Sequence, residues 1–255
     1  MTRIGIAGAG RMGLAIAGIV AADDSLTLGG AWSRRPDEAS DTLQKAGVYV
    51  GDDLARIVAD SDVLIDFSLP AGTTAVCECL TARPTPLVCG VSGLTATHLA
   101  AVQALGESMP VVYDRNMSVG IAVLTRYVAE TAMALGPEFQ VSVDEVHHVH
   151  KIDAPSGTAL KLGEAIADAR GQDFASVRVT DGHRKSQSDI LFGVERRGEV
   201  PGDHDVRFDS ASESLRFAHS VTTRDVFARG AVRAAQWVVA RRNGFYSMQD
   251  VLFGV

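Results

Sequence analysis

The run Gly8-Ala-Gly10-Arg-Met-Gly13 constrains this chain more than any other segment, because of where it falls. It follows the short apolar run Arg3 to Ala7 directly, and it opens a helix-period segment with Met12, Ile16, Ile19 and Val20 on one side. Glycines also end strands for purely structural reasons, so the spacing alone says little. At the first strand-to-helix junction of an alternating pattern it says a great deal, and here the pattern continues. Leu26 to Trp32 reads as a second strand, Glu38 to Ala46 as a second helix, Asp53 to Ala59 as a short helix and Asp62 to Phe67 as an apolar strand. Leu87 to Val91 and Val111 to Tyr113 follow in the same style. Short apolar strands alternating with helices predict a parallel sheet covered on both faces, a doubly wound Rossmann-type α/β domain.

The texture changes near residue 118. Residues 120–135 read as a long helix rich in Ala, Val and Leu, and Phe139, Val141, Val143, Glu145 and His147 then alternate with Gln140, Ser142, Asp144, Val146 and His148, the period-2 pattern of a strand with one buried face. A helix over 158–170 follows, capped by Ser156, with Leu162, Ile166 and Ala169 on one side. Further strands are expected at Asp189 to Arg196, Asp205 to Phe208 and Leu215 to Thr222. This second region is an α+β domain on a mixed or antiparallel sheet, one face of which needs a partner. An apolar helix, Val226 to Arg241, and a tail, Phe245 to Phe253, close the chain. The expected organisation is a dinucleotide-binding domain over 1–118 plus 225–255, and a substrate-binding and oligomerisation domain over 119–224.

At 255 residues with net charge −7 and no block of like charge, the chain is poorly suited to nucleic acid. The Met-Thr-Arg start runs straight into a strand without the basic and apolar regions of a signal peptide. No apolar run approaches bilayer length, so no membrane role is expected. Cys77, Cys79 and Cys89 are odd in number and apolar in setting, which predicts buried reduced thiols and a cytoplasmic protein.

The three glycines suit a tight turn, close approach of backbone to a pyrophosphate, and close helix–strand packing. About twenty residues on, where an NAD-selective site carries a carboxylate for the ribose hydroxyl, this chain has Ser33-Arg34-Arg35. Arginines suit a 2′-phosphate through charge-assisted bonds, so NADPH is preferred, with NADH possible. The strand ends Phe67-Ser68-Leu69-Pro70, Gly90-Val91-Ser92-Gly93 and Asp114-Arg115-Asn116-Met117 lie at the carboxyl edge of the sheet, where ligands of open α/β folds bind. The cofactor set is therefore Gly8, Ala9, Gly10, Arg11, Met12, Gly13, Ser33, Arg34, Gly90, Val91, Ser92, Asp114, Arg115, Asn116 and Met117.

Residues 145–159, Glu-Val-His-His-Val-His-Lys-Ile-Asp-Ala-Pro-Ser-Gly-Thr-Ala, crowd ionisable groups between a well-patterned strand and a well-patterned helix. Histidine titrates near neutrality, lysine can clamp an anion or donate a proton, and Ser156-Gly157-Thr158 starts a helix whose free N–H groups bind anions. Two other readings compete. His148, His150 and Asp153 could be metal ligands of a hydrolase, although that leaves the glycine turn and Lys151 without a role. A dinucleotide-sensing protein without catalysis would need no proton donor.

This segment resembles the 4-hydroxy-tetrahydrodipicolinate reductase (dihydrodipicolinate reductase) family. The likeness extends to Gly-Arg-Met-Gly13, Asp66-Phe67-Ser68-x-Pro70, Asn116-x-Ser118-Val-Gly120, Arg196-x-Gly198-x-x-x-Gly202-x-His204, Arg224-x-x-Phe227-x-x-Gly230-Ala and the tail from Gly244. The resemblance implies reduction of the hydroxylated cyclic dicarboxylate with loss of water, in the diaminopimelate route to lysine, by a homotetramer using NAD(P)H. It implies His147 as the catalytic acid/base, Lys151 as a second proton donor, and His148, Lys151, Gly157 and Thr158 as grips on the substrate carboxylates, with no metal. Glu145 and Asp153 orient the segment by hydrogen bonds. The chain departs from the family in four places: a glycine turn one residue shorter, Ser33 where many members have an acid, Val91-Ser92 for a Thr pair, and the charged Asp114-Arg115.

Overall fold

In the computed structural model, which describes residues 1–36, 43 and 48–254, the apolar runs become strands of a parallel sheet. The order is β1 (Thr2–Ala7), α1 (Arg11–Ala21), β2 (Leu26–Trp32), β3 (Val50–Gly51), α2 (Leu54–Ala59), β4 (Val63–Asp66), α3 (Pro70–Ala82), β5 (Leu87–Cys89), α4 (Ala96–Ala104) and β6 (Pro110–Tyr113). The helix expected over Glu38 to Ala46 lies almost wholly outside the described residues. Local chemistry sets the helix starts. The Asp53 side chain accepts from Arg56 N at α2, proline opens α3, and Thr95 and His98 form a reciprocal capping box at α4.

The chain then enters a second sheet system: α5 (Val119–Leu135), β7 (Gln140–His147), α6 (Gly157–Ala169), α7 (Phe174–Val177), β8 (Arg178–Val179), β9 (Ile190–Arg196), β10 (Asp203–Asp209) and β11 (Ser214–His219). The five strands lie in the order β11-β10-β7-β9-β8, with β10 antiparallel to both neighbours and β9 parallel to both of its own. Val141, Val143, Ile190, Phe192, Val206 and Phe208 meet Leu124, Val128, Leu162 and Ile166 of α5 and α6 in one core. The sequence expectation that no apolar run approaches bilayer length fails for α5. Its extension through Glu138 is a 20-residue helix of mean hydropathy 1.2. Its apolar stripe packs on this sheet, the signature of a core helix.

The chain finally returns to the first sheet through α8 (Asp225–Val238), β12 (Gly244–Tyr246) and α9 (Met248–Phe253). The first sheet reads β12-β6-β5-β4-β1-β2-β3, parallel throughout. It is a Rossmann-type sheet, and the mixed sheet is separate from it. Contacts divide the chain into two compact units, Met1–Val119 with Asp225–Val255, and Gly120–Arg224. Strand β11 is shorter than Leu215 to Thr222, and the last long helix stops at Val238 rather than Arg241. The tail is more ordered than a tail: β12 pairs with β6, and Ser247 with Asp250 forms a capping box for α9. Cys77 and Cys89 are buried free thiols, as expected, but Cys79 is only half-buried because it lies on a different side of α3.

Candidate active site

In the first unit, backbone makes the cleft. Gly8 has φ +106, and a Cβ there would lie 2.7 Å from the Phe67 carbonyl oxygen. A Cβ on Gly13 would lie 2.0 Å from the Gly8 carbonyl oxygen, so the third glycine lets α1 close on the turn. Gly10 differs: among the described residues a Cβ there would meet nothing within 4 Å, so their packing does not demand glycine. That position is free for a ligand to approach backbone. A cleft of about 320 Å³ opens beside the turn. Of the predicted cofactor residues it gathers Gly8, Ala9, Gly10, Ser33 and Arg34, together with Trp32, Arg35, Phe67, Ser68, Leu69 and Gly72.

The remaining predicted cofactor residues lie outside that lining. Arg11 and Met12 begin α1, with Arg11 exposed, and Gly13 is taken up by packing. Gly90, Val91 and Ser92 follow β5 at the same sheet edge. Asp114 is buried, accepting from Asn116 N at 3.1 Å and Met248 N at 3.4 Å, so its carboxylate holds the loop inward. Asn116 Oδ1 accepts from Ser118 N at 2.9 Å just before α5, Arg115 is exposed, and the Met117 side chain is in the core. Asp66 fixes the neighbouring Phe67-Ser68 turn by accepting from Thr73 Oγ1 at 2.8 Å and Ser68 N at 2.9 Å, and burial pushes its carboxyl up.

In the second unit, buried charge makes the site. Glu145 and His147 share the inward face of β7 because they are two residues apart on a strand. The Glu145 carboxylate accepts from Ser156 N at 3.1 and 3.2 Å and from Arg196 Nη2 at 3.1 Å. Its Oε2 lies 3.6 Å from His147 Nδ1 and 3.8 Å from His204 Nε2. Burial pushes His147 below the ordinary histidine range, against the pull of Glu145, while Lys151 and Arg196 add to the depression. Burial takes His204 further, to about 3, so it is neutral in the fold.

Lys151 Nζ donates to Asp153 Oδ1 at 2.7 Å. Burial works to raise that carboxyl, but Lys151 prevails and holds it below its ordinary value. Ser156 caps α6 by accepting from Ala159 N at 3.1 Å, which leaves Gly157 and Thr158 as the first two helical residues. A Cβ on Gly157 would also meet nothing within 4 Å among the described residues. His148 Nε2 is 3.3 Å from Arg224 Nη2, and exposed His150 pairs with Glu199 at 3.2 Å.

Among the described residues, the donor atoms close enough to share a metal ion belong to Glu145, His147 and His204, all within 4.8 Å, and not to His148, His150 and Asp153. Arg196 already neutralises that carboxylate.

Arg196 received no role from sequence reasoning. It donates to Glu145, to the Lys151 carbonyl at 3.3 Å and to the Asp153 carbonyl, pinning the whole loop. Its signal was present in the spacing Arg196-x-Gly198-x-x-x-Gly202-x-His204, whose meaning depends on knowing which strands flank β7.

Family models decide the membership. The dihydrodipicolinate reductase N-terminus matches residues 2–117, and the dihydrodipicolinate reductase C-terminus matches 120–252. This chain belongs to the dihydrodipicolinate reductase family. Among its relatives, the 4-hydroxy-tetrahydrodipicolinate reductase of Halorhodospira halophila is 41% identical over 98% of this chain and 98% of its own. That of Wolinella succinogenes is 39% identical over 99% of each. A dipicolinate-bound dihydrodipicolinate reductase from Paenisporosarcina sp. TG-14 has the same fold, with a TM-score of 0.79 at 22% identity over 99% of this chain and 100% of that one. A myo-inositol dehydrogenase from Corynebacterium glutamicum shares it at a TM-score of 0.65 and 14% identity, covering 100% of this chain and 93% of that one. The family is one of oxidoreductases that use a nicotinamide dinucleotide.

Proposed function

We propose that this member of the dihydrodipicolinate reductase family reduces 4-hydroxy-tetrahydrodipicolinate to tetrahydrodipicolinate with loss of water, in the diaminopimelate route to lysine. The observation that carries the reading is the arrangement around β7: a buried histidine beside a carboxylate, a lysine on the following turn, and two helix-start N–H groups. A dianionic ring needs such a cationic pocket, and the reaction needs a proton. Bound in the Gly8–Arg34 cleft, a nicotinamide dinucleotide would supply the hydride. Gly10 fits that group, since it leaves backbone uncovered where a pyrophosphate would lie.

The chain's own residues do the rest. Gly157 and Thr158 present N–H groups to one carboxylate, and His148 with Lys151 holds the other. Lys151 is kept close to its loop by Asp153 and gives up that partner for the substrate. His147 delivers the proton: burial holds its pKa below the ordinary histidine range, which makes the charged ring a readier acid, and arrival of a dianion favours that charged form. NADPH is the preferred cofactor, since Arg34 and Arg35 line the cleft and Ser33 stands where a carboxylate would repel a 2′-phosphate.

The protein is a cytoplasmic homotetramer in this reading. The face of the second sheet opposite α5 and α6 carries Asp144, Val146, Asp205 and Arg207, a mixed surface suited to a second copy. Light scattering of the purified protein tests that assembly, and a monomeric mass would overturn it. The activity is tested by loss of NADPH absorbance on adding freshly generated hydroxylated substrate, with excess chelator present. Turnover that persists in chelator supports the reading. Tight NADPH binding without turnover would leave a dinucleotide-sensing protein instead.

A further inference from the structure

The topology of the second unit gives the motif Arg196-x-Gly198-x-x-x-Gly202-x-His204 a location that its sequence alone does not. Strands β9 and β10 flank β7 on opposite sides. The connection between them, residues 197–202, must therefore cross the carboxyl end of β7, and the residue at that end is His147. The crossing is made by hydrogen bonds: Arg197 N donates to the His147 carbonyl at 2.7 Å, and Val149 N donates to the Gly198 carbonyl at 3.1 Å. Register places Arg196 opposite His147 on one side and His204 opposite Glu145 on the other.

The side chains follow the same plan. A Cβ on Gly202, whose φ is +152, would lie 2.9 Å from His147 Nε2 and 3.2 Å from its Cδ2. Glycine is required because the ring sits against backbone. On the other side the His204 ring meets the His147 ring edge-on, with centroids 5.1 Å apart and planes at 79°. Buried His204 is itself fixed through Nε2, 3.3 Å from the Ser156 hydroxyl that caps α6. The groups facing His147 are Glu145 on its own strand, Lys151 and Asp153 on the following loop, Arg196 on β9 and His204 on β10.

We propose that the Arg196–His204 segment is a positioning cradle for the proton donor. Gly202 and His204 set the plane of the His147 ring, and Arg196 holds the loop bearing Lys151 to the same carboxylate. The cradle also links the ring to the substrate-anchoring turn, since His204 contacts the residue just before Gly157 and Thr158. This rests on His147 acting as the acid. Proton transfer requires the donor atom within hydrogen-bond reach of its target, and a misplacement of about 1 Å costs roughly 10²-fold in rate.

The test compares Gly202→Ala, His204→Ala and His204→Phe with wild type, measuring kcat, KM for substrate and NADPH, and the pH profile of kcat/KM. Circular dichroism and the thermal midpoint check that each variant is folded, and NADPH binding by fluorescence checks that the other unit is unaffected. Gly202→Ala should lower kcat by about 10²-fold with KM for NADPH changed less than about 2-fold. His204→Ala admits water beside His147 and relieves its burial, so the basic limb of the profile should move up in pH. His204→Phe keeps the burial but loses the Ser156 contact, so it should lower kcat with that limb unmoved. A purely structural role would instead lower the folded fraction and leave the limb where it was in all three, which overturns the proposal, as do wild-type kcat values. His147→Asn separates the failures: wild-type turnover in that variant sinks the assignment of His147 itself.

Discussion

The two units build sites in opposite ways. In the first, the cleft is made by absence: Gly8, Gly10 and Gly13 remove side chains so that backbone can turn, be approached and be packed upon. In the second, the site is made by accumulation: Glu145, His147, Arg196 and His204 from three adjacent strands meet in a buried cluster. A backbone site gives shape and dipoles that no titration alters. A cluster of buried ionisable groups gives a tunable proton, at the expense of desolvation that must be offset by partners. Chemistry should therefore be sensitive to single atoms in the second unit, and binding to single methyl groups in the first.

The strongest way to break this contrast is His147→Asn, which removes the proton and leaves the strand intact. We expect kcat to fall by about 10² to 10⁴-fold, the usual worth of a general acid, with NADPH binding unchanged. A kcat within a few-fold of wild type would show that the buried cluster is structural.

Acid should also separate the units. His204 titrates at about 3 in the fold, chiefly from burial, against an ordinary 6.5 when unfolded. Between these values the unfolded chain binds a proton that the folded chain refuses. The stability that neutral His204 allows is therefore complete above about pH 6.5 and lost progressively as pH falls toward 3. Thermal midpoints measured between about pH 7.5 and 4.5 should fall less steeply in His204→Asn than in wild type. Parallel slopes would place the burden of acid unfolding elsewhere.

Within the first unit, two glycines in one motif divide structure from function. Gly13→Ala drives a methyl group toward the Gly8 carbonyl, fixed backbone that cannot yield, and should cost about 1–3 kcal/mol. Gly10→Ala meets nothing within 4 Å among the described residues, at φ −85 that alanine tolerates, so stability should change by less than about 0.5 kcal/mol. The same variant should raise KM for the cofactor, because the methyl group occupies the path of approach. Equal stability losses in the two would remove the distinction.

The contrast also explains what could be read from the chain before its structure. Period-2 alternation from Phe139 to His147 and the apolar runs of the first half became β7 and the parallel sheet, because burial on one or both faces leaves a mark on every residue. The glycine turn was legible for the same reason: the requirement is local. Arg196 and His204 were visible as a motif but not as neighbours of His147, since their meeting depends on strand order 10-7-9, a non-local fact. Strands β3, β8 and β12 have two or three residues each, too few to show any period. The strand-end position of Asp114 is legible in the sequence, but the engagement of its buried carboxylate by Asn116 N and by Met248 N, 134 residues away, is not.

The smallest expected effect concerns the rim of the cleft rather than its floor. Arg34 and Arg35 are exposed, so a contact to a 2′-phosphate is partly screened by water and is weaker than a buried pair. Arg34→Ala should raise KM for NADPH by about 10-fold, consistent with loss of one charge-assisted bond at a wet site. KM for NADH should change by less than about 2-fold, because that cofactor offers a hydroxyl at the same place and gains little from a guanidinium. Raising the salt concentration should narrow the NADPH-to-NADH difference in wild type more than in the variant, which keeps only Arg35 at the rim. If both cofactors lose equally, Arg34 binds the part they share, and the preference for NADPH must come from the neighbouring Arg35 or from the missing carboxylate at Ser33.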